Sequence, residues 1–113
     1  MPKPANRTYS RYTREAMQLL AGLIREGRIE RGMTAQEVAD RAGISRGLLQ
    51  RIEKGDLKCE IGAAFEVALI VGVPLFSFED EHALRFQREQ TQARLSLMPK
   101  SARKTRRQAR DDF

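Results

Sequence analysis

The chain has 113 residues, which is enough for one small domain with appended segments. Its formal net charge of +6 suits a polyanionic partner. No apolar run is long enough to span a membrane and no signal peptide is expected. The single cysteine, Cys59, excludes an internal disulfide, which fits a reducing cytoplasm.

The positive charge is concentrated towards the C-terminal end. Residues 1–84 carry 12 basic and 12 acidic residues, whereas residues 85–113 carry 9 basic and 3 acidic residues. Such an excess is typical of a segment that binds a polyanion, and equally of a solvated, disordered tail. Composition alone does not separate these two interpretations.

A polar arm is predicted to precede the first helix. Residues 1–12 contain Pro2 and Pro4, which oppose helix formation, and basic side chains that suit phosphate or minor-groove contacts. Thr13 is predicted to cap a helix that continues to about residue 31. The apolar spacing predicts a buried stripe on this helix formed by Ala16, Leu19, Leu20, Leu23, Ile24 and Ile29.

Residues 34–55 predict two short helices, at 35–42 and 46–53, joined by a tight turn. Thr34 and Glu37 match a capping box, Ser45 matches the N-cap of the second helix, and Gly43 suits a left-handed turn. Ala39 is small where the second helix is expected to cross closely. The positions predicted to face inward are Val38, Ala42, Ile44, Leu49 and Ile52. Such a pair typically places its second helix in the DNA major groove.

Two further helices are predicted. One runs from about 61 to 71 and is stopped by Gly72-Val73-Pro74. Ser77 and Asp80 indicate the start of another at about 78–96. Its sparse apolar positions are compatible with a helix lying across the domain or with an interface helix. Residues 99–113 contain no core-forming pattern and are predicted to be a basic, disordered tail.

Residues 20–73 resemble the phage-repressor-like (Xre/Cro-type) helix-turn-helix domain of small bacterial transcription regulators. The shared features are Arg31-Gly32-Met33-Thr34, Glu37-Val38-Ala39, Gly43-Ile44-Ser45, Ile52-Glu53-Lys54-Gly55 and Gly72-Val73-Pro74. The resemblance implies an all-α, compact, five-helix lambda-repressor-like fold, with the helix-turn-helix DNA-binding domain at residues 13–76. A flexible basic arm at 1–12, a C-terminal helix at 77–98 and the tail at 99–113 complete the chain. The resemblance also implies a cytoplasmic, nucleoid-associated bacterial protein.

The second helix of the pair is predicted to read base edges. Arg46, at its start, suits guanine O6 and N7, Gln50 suits adenine, and Arg51 suits guanine or a phosphate. The resemblance points to the same positions. Gly47 and Ala35 depart from the family pattern, so few direct base contacts and some reliance on DNA shape are expected. Phosphate contacts are expected from Thr34, Gln36, Ser45, Lys54 and Lys58.

The resemblance further implies a structural ion pair between Arg28 and Glu53, which places neither side chain on DNA. One such domain contacts about half a turn of DNA, so a homodimer on a pseudo-palindromic operator of double-stranded DNA is predicted. His82 and Cys59 have no partner residues at catalytic or metal-ligand spacing. The sequence therefore predicts a protein that is not an enzyme and uses no cofactor or metal.

The end of the chain resembles the C-terminus of HipB-like antitoxins. The matching stretches are Leu97-Met98-Pro99-Lys100, Arg103-Lys104 and Asp111-Asp112-Phe113. This resemblance implies a HipA-type Ser/Thr kinase toxin as partner, together with autorepression of the shared operon. The residues implied in partner binding are Arg103, Arg106, Arg107 and Phe113. Two alternatives stay open: a stand-alone phage- or plasmid-type regulator, and a protein-interaction adaptor that has lost DNA reading.

Overall fold

The computed structural model describes residues 8–101, which form five α-helices. They are α1 (Arg11–Glu30), α2 (Ala35–Ala42), α3 (Arg46–Glu53), α4 (Ile61–Ile70) and α5 (Glu81–Ser96). The described residues divide after Ser77 into a unit containing α1 to α4 and a second unit containing α5. The predicted all-α fold class is confirmed. Most of the predicted arm and the tail residues Arg103, Arg106, Arg107 and Phe113 lie outside the described residues.

The first helix begins three residues earlier than predicted. Its N-cap is Ser10, whose hydroxyl oxygen accepts a hydrogen bond from the backbone N–H of Thr13 at 3.2 Å. The prediction that Thr13 caps the helix is therefore wrong, as is the placement of Arg11 and Tyr12 in the arm. Ser10 and Thr13 are both suitable cap residues, and the earlier one leaves the longer helix intact.

The predicted inward stripe of α1 is also partly wrong. Ala21 and Ile24 are fully buried and Leu20 is half-buried. In contrast, Ala16, Leu19, Leu23 and Ile29 are exposed. The helix carries apolar residues on two faces, and its contact with α3 buries only the face that holds Ala21 and Ile24.

The helix pair α2–α3 begins and ends at the predicted residues. Thr34 Oγ1 accepts from the backbone N–H of Glu37 at 3.1 Å, and the Glu37 carboxylate accepts from the N–H of Thr34 at 2.8 Å. These hydrogen bonds hold the pKa of Glu37 below its usual value. Gly43 ends α2 with φ 69°, and Ser45 accepts from the backbone N–H of Leu48 at 3.0 Å. The capping predictions are confirmed.

The core of the first unit lies between α1, α2, α3 and α4. Ala39 is fully buried, and α2 packs against both α3 and α4. Of the positions predicted to face inward on α2–α3, Ala42 and Ile44 are only half-buried. The largest fully buried side chains are Ile24, Val38, Leu49, Ile52, Val67 and Val71. These six side chains cluster together, and this packing holds the inner face of α3 against the rest of the unit.

Two segments follow the core. α4 ends at Ile70, one residue before the predicted end, and Gly72 follows it with φ 79°. α5 starts at Glu81 and is capped by Asp80, which accepts from the N–H of Ala83 at 2.8 Å. The predicted start at 78 is wrong because Ser77 has φ 65°, whereas an N-cap needs an extended backbone. Within residues 8–101, no helix is long and apolar enough to cross a membrane.

Candidate nucleic-acid interface

The outward face of α3 displays the side chains predicted to read bases. Leu49 and Ile52 are buried, so the opposite side of this eight-residue helix faces outward. Arg46, Gln50 and Arg51 are all exposed on that side, and Gly47 lies between them. The surface at Gly47 is therefore backbone, flanked by three long polar side chains.

The side chains of Arg46 and Gln50 have no hydrogen-bond or ion-pair partner among the described residues. They are one helical turn apart and point to the same side of α3. Arg46 occupies the first helical position, next to backbone N–H groups that the helix leaves without partners. A cationic guanidinium beside these donors makes the start of α3 favourable for a phosphate or an acceptor-rich base edge.

Arg51 is held by an acidic residue that the sequence analysis did not identify. Its Nε donates to Oδ2 of Asp56 at 2.7 Å, and Oδ1 of Asp56 accepts from the backbone N–H of Lys58 at 2.8 Å. The ion pair raises the pKa of Arg51 and, with the Lys58 N–H, lowers the pKa of Asp56. Because Asp56 occupies only Nε, the Nη1 and Nη2 edge of Arg51 remains available for a bidentate contact.

The end of α3 explains how Asp56 reaches Arg51. Gly55 has φ 80°, its N–H donates to the carbonyl of Ile52 at 3.1 Å, and the N–H of Asp56 donates to the carbonyl of Arg51 at 3.0 Å. This is the Schellman motif, which turns the residue after the glycine back over the last helical turn. The Lys54-Gly55 signal predicts this turn, and so offered a way to find Asp56 from sequence.

The structure brings together Arg28 and Glu53. Nε of Arg28 donates to one carboxylate oxygen at 2.7 Å and Nη2 donates to the other at 3.0 Å. Nη1 also donates to the carbonyl of Met33 at 3.2 Å, and the two side chains are only 15% and 10% exposed. The hydrogen bonds to Glu53 raise the pKa of Arg28 despite its burial. The pair ties α1 to the end of α3, so both groups are committed to the fold.

The residues predicted to bind phosphate lie around the helix pair. Thr34 and Ser45 use a hydroxyl oxygen to cap α2 and α3, which leaves each hydroxyl hydrogen free to donate. Gln36 donates to Oδ1 of Asp40 at 2.9 Å and keeps a second N–H. The side chains of Lys54 and Lys58 are exposed in the loop after α3.

A second residue not identified from sequence is Gln18 on α1. Its Nε2 donates to the carbonyl of Lys54 at 3.2 Å, and its side chain lies over Gly55. This contact fixes the backbone of the turn that carries Asp56. No local signal marks it, because the two residues are 36 positions apart in the chain.

Among the described residues, neither the acidic groups nor the lone cysteine is arranged as a metal site. Residues 8–101 hold no group of three or more His, Cys, Asp and Glu side chains suited to a metal ion. Cys59 is half-buried, and burial raises the pKa of its thiol, which disfavours the reactive thiolate.

Residues 24–76 match the helix-turn-helix family model. The matched segment begins within α1 at Ile24, contains α2, α3 and α4, and ends at Phe76. These residues form a helix-turn-helix domain, which supports a role for the protein as a DNA-binding transcription regulator. Proteins of this class are generally not enzymes. No curated protein and no solved structure matches the chain significantly.

Proposed function

We propose that this protein is a sequence-specific transcriptional repressor that binds a pseudo-palindromic operator as a homodimer. The observation that carries the proposal is the outward face of α3, where Arg46, Gln50 and Arg51 are exposed on one side of a helix anchored by its other side. A rigidly held helix with such a face fits the major groove of double-stranded DNA. Its setting is the bacterial cytoplasm, where the nucleoid supplies the DNA.

Each side chain has a distinct role in this mechanism. Arg46 donates two hydrogen bonds to guanine, and Gln50 donates to and accepts from adenine. Arg51 presents its Nη1 and Nη2 edge to a guanine or a phosphate while Asp56 holds its Nε. Gly47 adds no side chain, so the backbone of α3 approaches the groove closely.

Phosphate contacts orient the domain and carry no base information. The hydroxyl groups of Thr34 and Ser45 lie at the N-termini of α2 and α3, where free backbone N–H groups and the helix dipoles attract anions. Gln36, Lys54 and Lys58 extend this phosphate-binding rim. Each phosphate neutralised by a cation releases counterions, so binding weakens as salt rises.

A single domain reads too few base pairs for operator-strength binding. Two copies on half-sites one helical turn apart double the contacts. Because the two copies are related by a two-fold axis, the operator that they bind is a pseudo-palindrome. We propose that the protein represses its own operon. The DNA upstream of its gene is therefore the first binding target to test.

The test is binding of the full-length protein to its own upstream DNA and to random DNA of equal length across a salt series. The account predicts tighter binding to the upstream DNA at every salt concentration. Arg46→Ala weakens the preference, because the contact with one base is lost, whereas Arg25→Ala, an equal charge change at an exposed position of α1, leaves the preference unchanged. Equal, salt-sensitive binding to both DNAs would instead favour the protein-interaction adaptor.

A role as HipB-like antitoxin of a HipA-type kinase is the more specific form of this proposal. It is supported by the resemblance of the C-terminal run and by the exposed apolar residues at and just before the start of that run. Leu97 is 88% exposed, and Leu95 and Met98 are also exposed. Exposed apolar anchors beside a basic segment fit a protein partner.

Deletion of residues 99–113 separates the antitoxin from a stand-alone regulator. An antitoxin loses kinase binding, measured by titration calorimetry, and keeps its operator preference. A stand-alone phage- or plasmid-type regulator shows no kinase binding before or after the deletion. In that case the deletion only flattens the salt dependence of DNA binding, because fewer cations contact phosphate.

A further inference from the structure

An apolar stripe runs along α1 on the side opposite Ala21 and Ile24. Its members are Tyr12, Ala16, Leu19 and Leu23, whose spacing of four, three and four residues places them on one face. Tyr12 is 84% exposed, Leu19 63% and Leu23 39%. None of the first ten residues of α1 is buried. A helical segment this short is usually stabilised by packing one of its faces against another part of a protein.

We propose that this α1 stripe is a self-association surface, on which α1 of a second copy packs antiparallel. The two-fold axis passes between residues 17 and 18. In this register Tyr12 faces Leu23 of the second copy and Ala16 faces its Leu19, and the symmetry repeats both contacts. The stripe is thus complementary to itself, since the small Ala16 leaves space for the larger Leu19.

The charges beside the stripe favour the antiparallel direction. Arg11 and Glu26 lie at opposite ends of the stripe, on the same flank of α1. Antiparallel packing places Arg11 of each copy about half a turn from Glu26 of the other. Parallel packing would instead leave the arginines at one end of the contact and the glutamates at the other, so that neither opposite-charge pair could form.

A cleft at one end of the stripe offers a place for the aromatic ring. It has a volume of about 410 Å³ and lies between the end of α1 and residues 71–74, with Leu23 and Glu26 in its wall. In the antiparallel register, Tyr12 of the second copy lies over Leu23 at this cleft. An exposed tyrosine that fills a recess on its partner is a typical anchor of protein interfaces.

The inference deepens the proposed function, since it rests on the proposed homodimer and assigns its contact surface. A stripe of four side chains is smaller than the standard interface of about 1,600 Å². The association is therefore expected to be reversible, with dimers that accumulate as the protein concentration rises.

Disulfide cross-linking of two single variants tests the register directly. Tyr12→Cys and Leu23→Cys are prepared separately in a full-length Cys59→Ser background and oxidised alone or mixed. The mixture is expected to form a disulfide dimer between the two variants, whereas each variant alone does not, because its own cysteines lie about 16 Å apart along the axes. Dimers in the separate samples, or none in the mixture, would overturn the proposal.

A charged substitution tests the surface without cysteine chemistry. By sedimentation equilibrium, the wild type is expected to rise from 12.9 kDa towards twice that mass with concentration. Leu19→Glu should remain monomeric, while Leu69→Glu, at a site 69% exposed on α4, should behave as the wild type. Association that survives Leu19→Glu would contradict the α1 surface.

Failure of this surface and failure of DNA binding give different results. Both association tests are performed without DNA, so they succeed or fail whether or not α3 reads bases. A separate titration with a single half-site duplex reports on DNA binding by one copy, and Leu19→Glu should leave that affinity within twofold of the wild type. A larger loss would show that α1 acts in DNA binding rather than in self-association.

Discussion

Asp56 and Arg51 form an ion pair of 2.7 Å at the end of α3, in which Oδ2 of Asp56 accepts a hydrogen bond from Nε of Arg51. We predict that Asp56→Asn lowers the ratio of specific to non-specific DNA affinity by about tenfold, equivalent to about 1.4 kcal/mol. The amide keeps an oxygen for the Lys58 N–H but no longer holds Arg51 as an ionic partner. Competition binding with operator and random DNA measures the ratio.

The loss of the carboxylate also removes a negative charge near the DNA. Non-specific affinity should therefore rise slightly in Asp56→Asn even as the ratio falls. Arg51→Lys is the matched variant, since lysine keeps the charge but lacks the two-edged guanidinium. An unchanged ratio in both variants would show that Arg51 does not read bases.

The buried ion pair between Arg28 and Glu53 predicts that removing one partner destabilises the fold far more than replacing both. Removing one partner leaves an uncompensated charge, so Arg28→Ala and Glu53→Ala should each lower the free energy of unfolding by about 3 kcal/mol. The double variant Arg28→Met/Glu53→Leu should recover most of this loss, because neither charge remains. Urea denaturation followed by circular dichroism measures all three variants.

Two glycines of α1 make a matched test of helix packing. A Cβ added at Gly27 would lie 2.6 Å from the carbonyl oxygen of Val71, whereas one added at Gly22 meets nothing within 4 Å. Gly22→Ala should raise the free energy of unfolding by about 0.8 kcal/mol through helix propensity. Gly27→Ala should lower it in the same thermal melts, and a gain at both positions would contradict the close approach of α1 to Val71.

The local signals in the sequence were sufficient for the helix pair but not for α1. Thr34, Gly43 and Ser45 determine the ends of α2 and α3 through hydrogen bonds to residues a few positions away. The ends of both helices could therefore be predicted from the local sequence. The inward face of α1 depends on which side meets α3. A helix with two apolar faces does not encode that choice locally, and the exposed Ala16, Leu19 and Leu23 were predicted to be core.

The same distinction applies to the candidate site. Arg46 and Gln50 follow from helix periodicity once α3 is placed. Asp56 was missed because its contact with Arg51 depends on the left-handed backbone at Gly55 and on the loop beyond it. Long-range contacts such as that of Gln18 with the Lys54 carbonyl carry no local pattern at all.

Two carboxylates predict the direction of the acid response. The pKa values of Glu37 and Asp56 are lowered in the folded state by hydrogen bonds to Thr34 and to Arg51, respectively. The unfolded state therefore binds more protons, and stability is fully present above the unfolded values of about 4 and is lost as pH falls through the lower folded values. Thermal melts from about pH 6 to about pH 2 should show this loss of stability. Glu37→Gln should make the loss smaller, because one of the two carboxylates is then absent. A stability that rises on acidification would contradict the capping geometry.

The most direct test of the account is enrichment of binding sites from a random DNA pool by the wild type and by Arg46→Ala. The account predicts that the wild type enriches an inverted repeat whose half-sites are one helical turn apart and contain a preferred guanine. Arg46→Ala should lose the preference at that guanine and keep the rest of the motif. Enrichment of no motif, or of the same motif by both proteins, would contradict base reading by α3.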